Sequence, residues 1–333
     1  MREIEKHIKD KSLKKVYLLF GEEVFLRKRC EALIKENCVD KQFEMMNSVV
    51  FDNGVDIDRL ISACETIPFM AEKRLVLVRY SGAFVEGKKE LSNAINNFLP
   101  NLPETTVLVF VEEKVDKRLS LYKTVNKLGY AAEFSSLKEK DLVSWVEEFS
   151  EGNISSGAAI YLIRTVGESL EILGEEIKKL RAYCGDKNSI TKKAIDEIAT
   201  KSVNAQVFDM VGYIGKKNTA LAIKQYNELL ALKEAPIKIL AIISRQFRLI
   251  LQCKYLQRSG ATNAEIASKL NIRSFFLQEY LDQGKNFTIP ELIGALESCL
   301  ECDKKIKGGK LIDRVAVEML IMKYSDKEKD DKK

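Results

Sequence analysis

The chain of 333 residues is 46% hydrophobic and 31% charged, with 54 basic residues against 49 acidic ones and a single histidine, a net charge of +5. A length of this order predicts two or three domains, and the composition excludes a disordered chain. The one histidine, His7, sits in a charged leader without a partner, which leaves Ser–His and Cys–His catalysis without support.

From the start, "MREIEKHIKDKS" has no apolar core, so no signal peptide is expected. The longest apolar runs, such as 105–111, are too short for a membrane span. Seven cysteines at irregular spacing argue against a disulfide framework, and the cytoplasm is the expected location.

Between Lys14 and Ser136, apolar and β-branched runs alternate with helical patterns. Strands are predicted at 15–20, 47–51, 74–80, 105–111 and 130–134, and helices near 22–38, 56–66, 86–98 and 118–128. Continuous apolar runs of this length suit strands covered on both faces. Their alternation with helices predicts an α/β domain with a five-stranded parallel sheet and right-handed crossovers.

The first strand ends at Gly21, where a nucleotide-binding protein carries its phosphate loop. That loop needs G-x-x-x-x-G-K-[ST], the glycines for a backbone cradle, the lysine for the phosphates and the hydroxyl for Mg²⁺. Counting from Gly21, the last three positions hold Leu26, Arg27 and Lys28, so the loop is degenerate. A near match, "GAFVEGKK" from Gly82 to Lys89, follows the third strand and lacks the hydroxyl. It reads either as a solvated loop entering a helix or as an unusual ATPase loop. Glu112 and Glu113 end a different strand, without a loop to serve.

Strand patterns stop after Phe134. Ser136 and Glu139 have the spacing of a capping box, and helices follow near 155–166, 168–184 and 190–201. Trp145, with Leu142, Val146 and Phe149 on one helix, is expected in a core. From 206 to 325 the pattern is again all helical, with Pro236 opening the longest helix. The expected domains are 1–136, α/β; 137–205, a small helical bundle; and 206–333, a helical domain with a charged tail.

The excess of base lies in the last domain, where 22 basic residues from Gln206 onward face 16 acidic ones. Lys304, Lys305, Lys307 and Lys310 in "DKKIKGGK" either approach phosphates or form a solvated helix end. Arg245 and Arg248 share a helical face suited to packing. Cys299 and Cys302 form a CxxC inside a helical pattern with no further ligands nearby, so a structural role is expected. The stretch "TNAEIASKLNIRSFFLQEYL" has a helix-turn-helix outline, but Arg273 is its main candidate for a groove contact, which makes base readout poor.

The ordered set "VYLLFGEEVFLRKR", "ETIPFMAEKRLVLVRYSG", "VDKRLSLYKTV", "LGEEIKKLRAYCGDKNSIT", "APIKILAIISRQFRLILQCKYL", "IASKLNI" and "CDKKIKGGKLIDRVAVEMLI" resembles the delta subunit of the bacterial DNA polymerase III clamp loader, nearly end to end. The resemblance implies an AAA+-like first domain, a helical lid and a collar domain. It implies no nucleotide hydrolysis, no cofactor and no metal. Its implied partners are the beta sliding clamp, the gamma/tau and delta-prime subunits, and primed DNA in the assembled complex. The clamp contact it implies falls on Ile67, Pro68, Phe69 and Met70, with Phe69 and Met70 as anchors where other members often carry Leu-Phe. From physics alone the two anchors either project as a wedge or pack into the α/β core. The same resemblance makes the four lysines DNA-binding candidates. Some relatives carry an aromatic near Gly308, and glycine there offers no ring to stack on a base.

Overall fold

A computed structural model describes residues 2–185 and 189–326. The charged tail expected at the end of the chain falls almost wholly in 327–333, outside the described residues. The chain divides into two compact units, Met1–Leu137 and Lys138–Lys333.

The first unit runs α1 (Arg2–Lys9), β1 (Val16–Phe20), α2 (Val24–Cys38), α3 (Glu44–Asn47), β2 (Ser48–Asp52), α4 (Ile57–Glu65), β3 (Arg74–Arg79), α5 (Lys89–Phe98), β4 (Thr106–Glu112), α6 (Ser120–Leu128) and β5 (Tyr130–Glu133). The five strands form one parallel sheet in the order β2-β3-β4-β1-β5. Alternate side chains of β1 face opposite ways, as the pleat requires. Val16, Leu18 and Phe20 join Leu60, Ile95, Leu121 and Val125 of α4, α5 and α6 in one core. Tyr17 and Leu19 are equally buried, as are Leu26, Cys30 and Ile34 of α2, which packs on β1, β3 and β4. Both faces are therefore covered, which is why β1, β3 and β4 read as unbroken apolar runs.

Two short helices lie outside the expected pattern. The charged leader forms α1, anchored by the fully buried Ile4. His7 is not isolated: its Nδ1 lies 3.2 Å from the Tyr17 hydroxyl and its ring stands edge-on to Tyr130. Burial holds its pKa below the ordinary imidazole value. The second, α3, is one turn long and leads directly into β2.

The second unit is all helical: α7 (Glu139–Phe149), α8 (Ser156–Val166), α9 (Leu170–Cys184), α10 (Lys192–Ile198), α11 (Val203–Gly215), α12 (Thr219–Ala231), α13 (Pro236–Arg258), α14 (Asn263–Leu270), α15 (Ser274–Gly284), α16 (Ile289–Lys307) and α17 (Asp313–Ser325). Helices α7–α10 pack on one another, with Trp145 buried and stacked on Phe149. Helices α11, α12, α13, α16 and α17 share a second core around Phe247 and Tyr226. Ser136 does not cap α7: Lys138 holds the cap position without a side-chain bond, and the Ser136 hydroxyl donates to Glu22 instead. Among the described residues, no helix is long and apolar enough to cross a membrane.

Candidate functional site

The connection from β1 to α2 is three residues, Gly21–Glu23, too short to wrap a triphosphate. Gly21 has φ +120°, and a Cβ there would lie 2.3 Å from the Phe134 carbonyl oxygen. The chain leaving β5 occupies that space, held by the Glu23 N–H donating to Phe134 O at 2.8 Å and the Phe134 N–H to Phe20 O at 2.6 Å. The start of a helix favours an anion, the property a phosphate loop uses. Here that position is taken by the Glu23 carboxylate, which accepts from the Phe25 N–H at 3.3 Å and whose pKa is raised by burial. Arg27, where a phosphate-binding lysine belongs, turns inward, is 3% exposed, and donates to the Glu112 carbonyl at 3.1 Å.

The second candidate loop is also closed on itself. Lys88 folds over Gly82 and donates to the Ser81 carbonyl at 2.9 Å, so its ammonium is held inside the loop. Ala83 and Phe84 are fully buried, Phe84 against Phe110. The Glu112 carboxylate accepts from the Ser81 N–H and hydroxyl, and burial raises its pKa. These side chains join the end of β4 to the turn after β3. The ATPase reading of Gly82–Lys88 is not favoured, because Lys88 and Glu112 both spend their side chains on Ser81 at the turn after β3.

The segment between α4 and β3 behaves differently. Helix α4 stops at Glu65, Thr66 turns into extended backbone, and Pro68 keeps the chain from resuming the helix. Ile67 is 84% exposed, Phe69 50% and Met70 73%, so the core-packing alternative does not hold. Three large apolar side chains within four residues stand on the surface. Met45 and Met46 of α3 are also exposed, and the Phe43 ring meets Phe69 edge-on at 6.4 Å. The base of the loop is rigid. Arg74, itself buried, donates to Ala63 O at 2.8 Å and Met46 O at 2.9 Å. The Asn47 side chain bonds both main-chain groups of Phe69. The sequence places Asn47 at the start of a strand and assigns nothing to 43–46, whereas Asn47 ends α3, because nothing in "FEMMN" announces a partner 22 residues away.

The lysine cluster forms the last turn of α16 and the Gly308–Gly309 turn after it. Lys305 pairs with Glu301 at 2.7 Å and Lys307 with Asp303 at 2.8 Å, each one helical turn back. Lys304 and Lys310 are exposed, and no ion pair among the described residues involves either. Arg245 and Arg248 are exposed on α13. Helices α14 and α15 do form a helix-turn-helix outline around Asn271 in left-handed backbone. The start of α15 is occupied, however: Ser274 donates to Glu139, and Arg273 pairs with Glu168 at 2.8 Å. Cys299 is buried with its thiol pushed up to about 12 by burial, and Cys302 donates to Ala316 O, so both serve packing.

Two family models match the chain: DNA polymerase III, delta subunit, over residues 17–135, and DNA polymerase III delta subunit, C-terminal domain, over 204–324. The chain is 31% identical over 329 residues to the DNA polymerase III subunit delta of Bacillus subtilis strain 168, covering 94% of each. It is 25% identical over 301 residues to the probable DNA polymerase III subunit delta of Aquifex aeolicus strain VF5, covering 85% of this chain and 84% of that one. Among solved structures it is similar to the Bacillus subtilis DNA clamp loader delta protein, with a TM-score of 0.69 and 30% identity, covering 97% of this chain and 99% of that one. The fold expected from sequence, an AAA+-like α/β region with a five-stranded parallel sheet followed by an all-helical remainder, is the fold observed.

Proposed function

Because the chain belongs to the DNA polymerase III delta subunit family, we propose that it is the clamp-loader subunit that binds the beta sliding clamp and opens it for loading on primed DNA. The observation that supports this most is the apolar loop at Ile67, Pro68, Phe69 and Met70, exposed on a rigid base. Burying an aromatic and a thioether in a pocket is the usual chemistry of an interface anchor. Opening follows only if the loop binds the open ring better than the closed one, since a ligand shifts an equilibrium by its differential affinity.

The subunit works without nucleotide and has no catalytic activity of its own. The closed-off β1–α2 connection supports this, since Glu23, Phe134 and Arg27 fill what a phosphate would need. Residues 1–136 then serve as the clamp-binding domain, 137–205 as the lid and 206–333 as the collar, which joins the gamma/tau and delta-prime subunits. DNA is met in the assembled loader through Lys304 and Lys310, with Lys305 and Lys307 partly neutralised by their acids. The place of work is the cytoplasm.

The test is clamp release. Clamp loaded on nicked circular DNA is incubated with the purified chain and no ATP. Opening one ring interface frees the DNA, so the expected result is loss of clamp from the circle at the rate of chain addition. Clamp that stays on the circle at saturating chain contradicts the opening role.

A further inference from the structure

The Phe69 loop has one main-chain anchor, and it is a side chain. The Asn47 carboxamide is fully buried and both of its ends serve the same residue. Its Oδ1 accepts from the Phe69 N–H at 2.6 Å, and its Nδ2 donates to the Phe69 carbonyl at 2.8 Å. This pair of bonds imitates what a neighbouring strand would supply to an edge residue. It fixes the direction of the Phe69 backbone while its ring stays half exposed. Among the described residues, no other hydrogen bond involves a main-chain group of residues 67–73; the Lys73 bond to Glu104 O is made by its side chain. The next residue, Met70, is held at φ +49°, a conformation that residues with a side chain adopt rarely. The clasp itself is braced, because Arg74 holds the Met46 carbonyl one residue before Asn47.

We propose that Asn47 is a positioning residue for the clamp contact: its amide clasps the Phe69 main chain and presents Phe69 and Met70 in the conformation that enters the clamp. This rests on the wedge reading of residues 67–70. Asn47 itself touches nothing outside the subunit, since it is fully buried. It acts by sparing the loop the ordering cost that a flexible apolar segment meets on binding.

The test is a mutant cycle on clamp affinity, with Asn47→Ala, with Phe69→Ala plus Met70→Ala, and with all three changes. Asn47→Ala alone is expected to weaken binding roughly ten- to a hundredfold, the scale of one or two lost buried hydrogen bonds. In the background lacking both anchors it is expected to change affinity less than about twofold, because coupled residues are non-additive. Equal effects in both backgrounds overturn the proposal, as does normal binding by Asn47→Ala. If the anchor double mutant itself binds normally, the wedge reading fails first, a result distinguishable from failure of Asn47 alone. Amide exchange in the unmutated chain gives a check that does not depend on how the variants fold. The Phe69 amide, in an exposed loop, is expected to exchange at least about tenfold more slowly than an open amide. Unprotected exchange there overturns the clasp.

Discussion

Replacing Phe69 and Met70 by alanine separates binding from folding, and the structure sets both magnitudes. Full burial of such a side chain stabilises by about 1.5–3 kcal/mol relative to exposure. In the free subunit Phe69 is 50% exposed and Met70 73%, so only about half and a quarter of that is at stake in the fold. The free protein is expected to lose about 1–2 kcal/mol, a few degrees in melting temperature for a domain of this size. In the proposed clamp complex the exposed shares are expected to be covered. Their loss removes about 2–4 kcal/mol, or roughly 30- to 1,000-fold in affinity. The assay is titration of the beta clamp with chain whose melting is measured on the same preparation. A double mutant that binds within about twofold of the parent refutes the wedge. So does one that loses binding only at temperatures where it has unfolded.

Other consequences are checked as readily. Calorimetry with Mg-ATP is expected to show no binding tighter than about 100 μM, roughly −5.5 kcal/mol; a tighter constant contradicts the closed β1–α2 connection. Gly21→Ala is expected to cost at least about 2 kcal/mol by thermal or denaturant unfolding, because its Cβ meets the Phe134 carbonyl and its φ of +120° disfavours any side chain. Changing Lys304, Lys307 and Lys310 to alanine is expected to flatten the salt dependence of loader binding to primed DNA and to leave clamp affinity unchanged, with Lys307 contributing least because Asp303 already faces it. Cys64 and Cys299, their thiols raised to about 12 by burial, are expected to stay unmodified by thiol reagents at pH 8, where almost no thiolate exists, until the chain unfolds.

The middle of the sheet was legible because β1, β3 and β4 are buried on both faces, so each announces itself as a continuous apolar run, whereas β2 and β5, at the edges, are only partly buried. The long helices were legible from their three- and four-residue spacing. Helix α1 was not, because a single buried apolar residue, Ile4, anchors it and its remaining pattern is charge. The capping-box spacing at Ser136 was a coincidence of residue types, and its hydroxyl went to Glu22, which is 114 positions away. At the phosphate position the missing lysine and hydroxyl were plain in the sequence. What fills the space was not, because Phe134 and Glu112 reach it through the strand order β4-β1-β5. At the loop of residues 67–70 the apolar pair was visible and its exposure was not, since apolar residues occur on surfaces as well as in cores. Asn47 was read as the first residue of a strand, and its hold on Phe69 gave no signal. Its partners are backbone groups, and a backbone group has no residue type to read.

The most direct measurement is equilibrium binding of the beta clamp by the purified chain with nucleotide strictly absent, then repeated with saturating Mg-ATP. A subunit that grips through Phe69 and Met70, with Glu23 and Phe134 closing its phosphate position, is expected to bind saturably in both cases with the same constant. Binding that appears only with ATP, or none at micromolar concentrations of both proteins, contradicts the account.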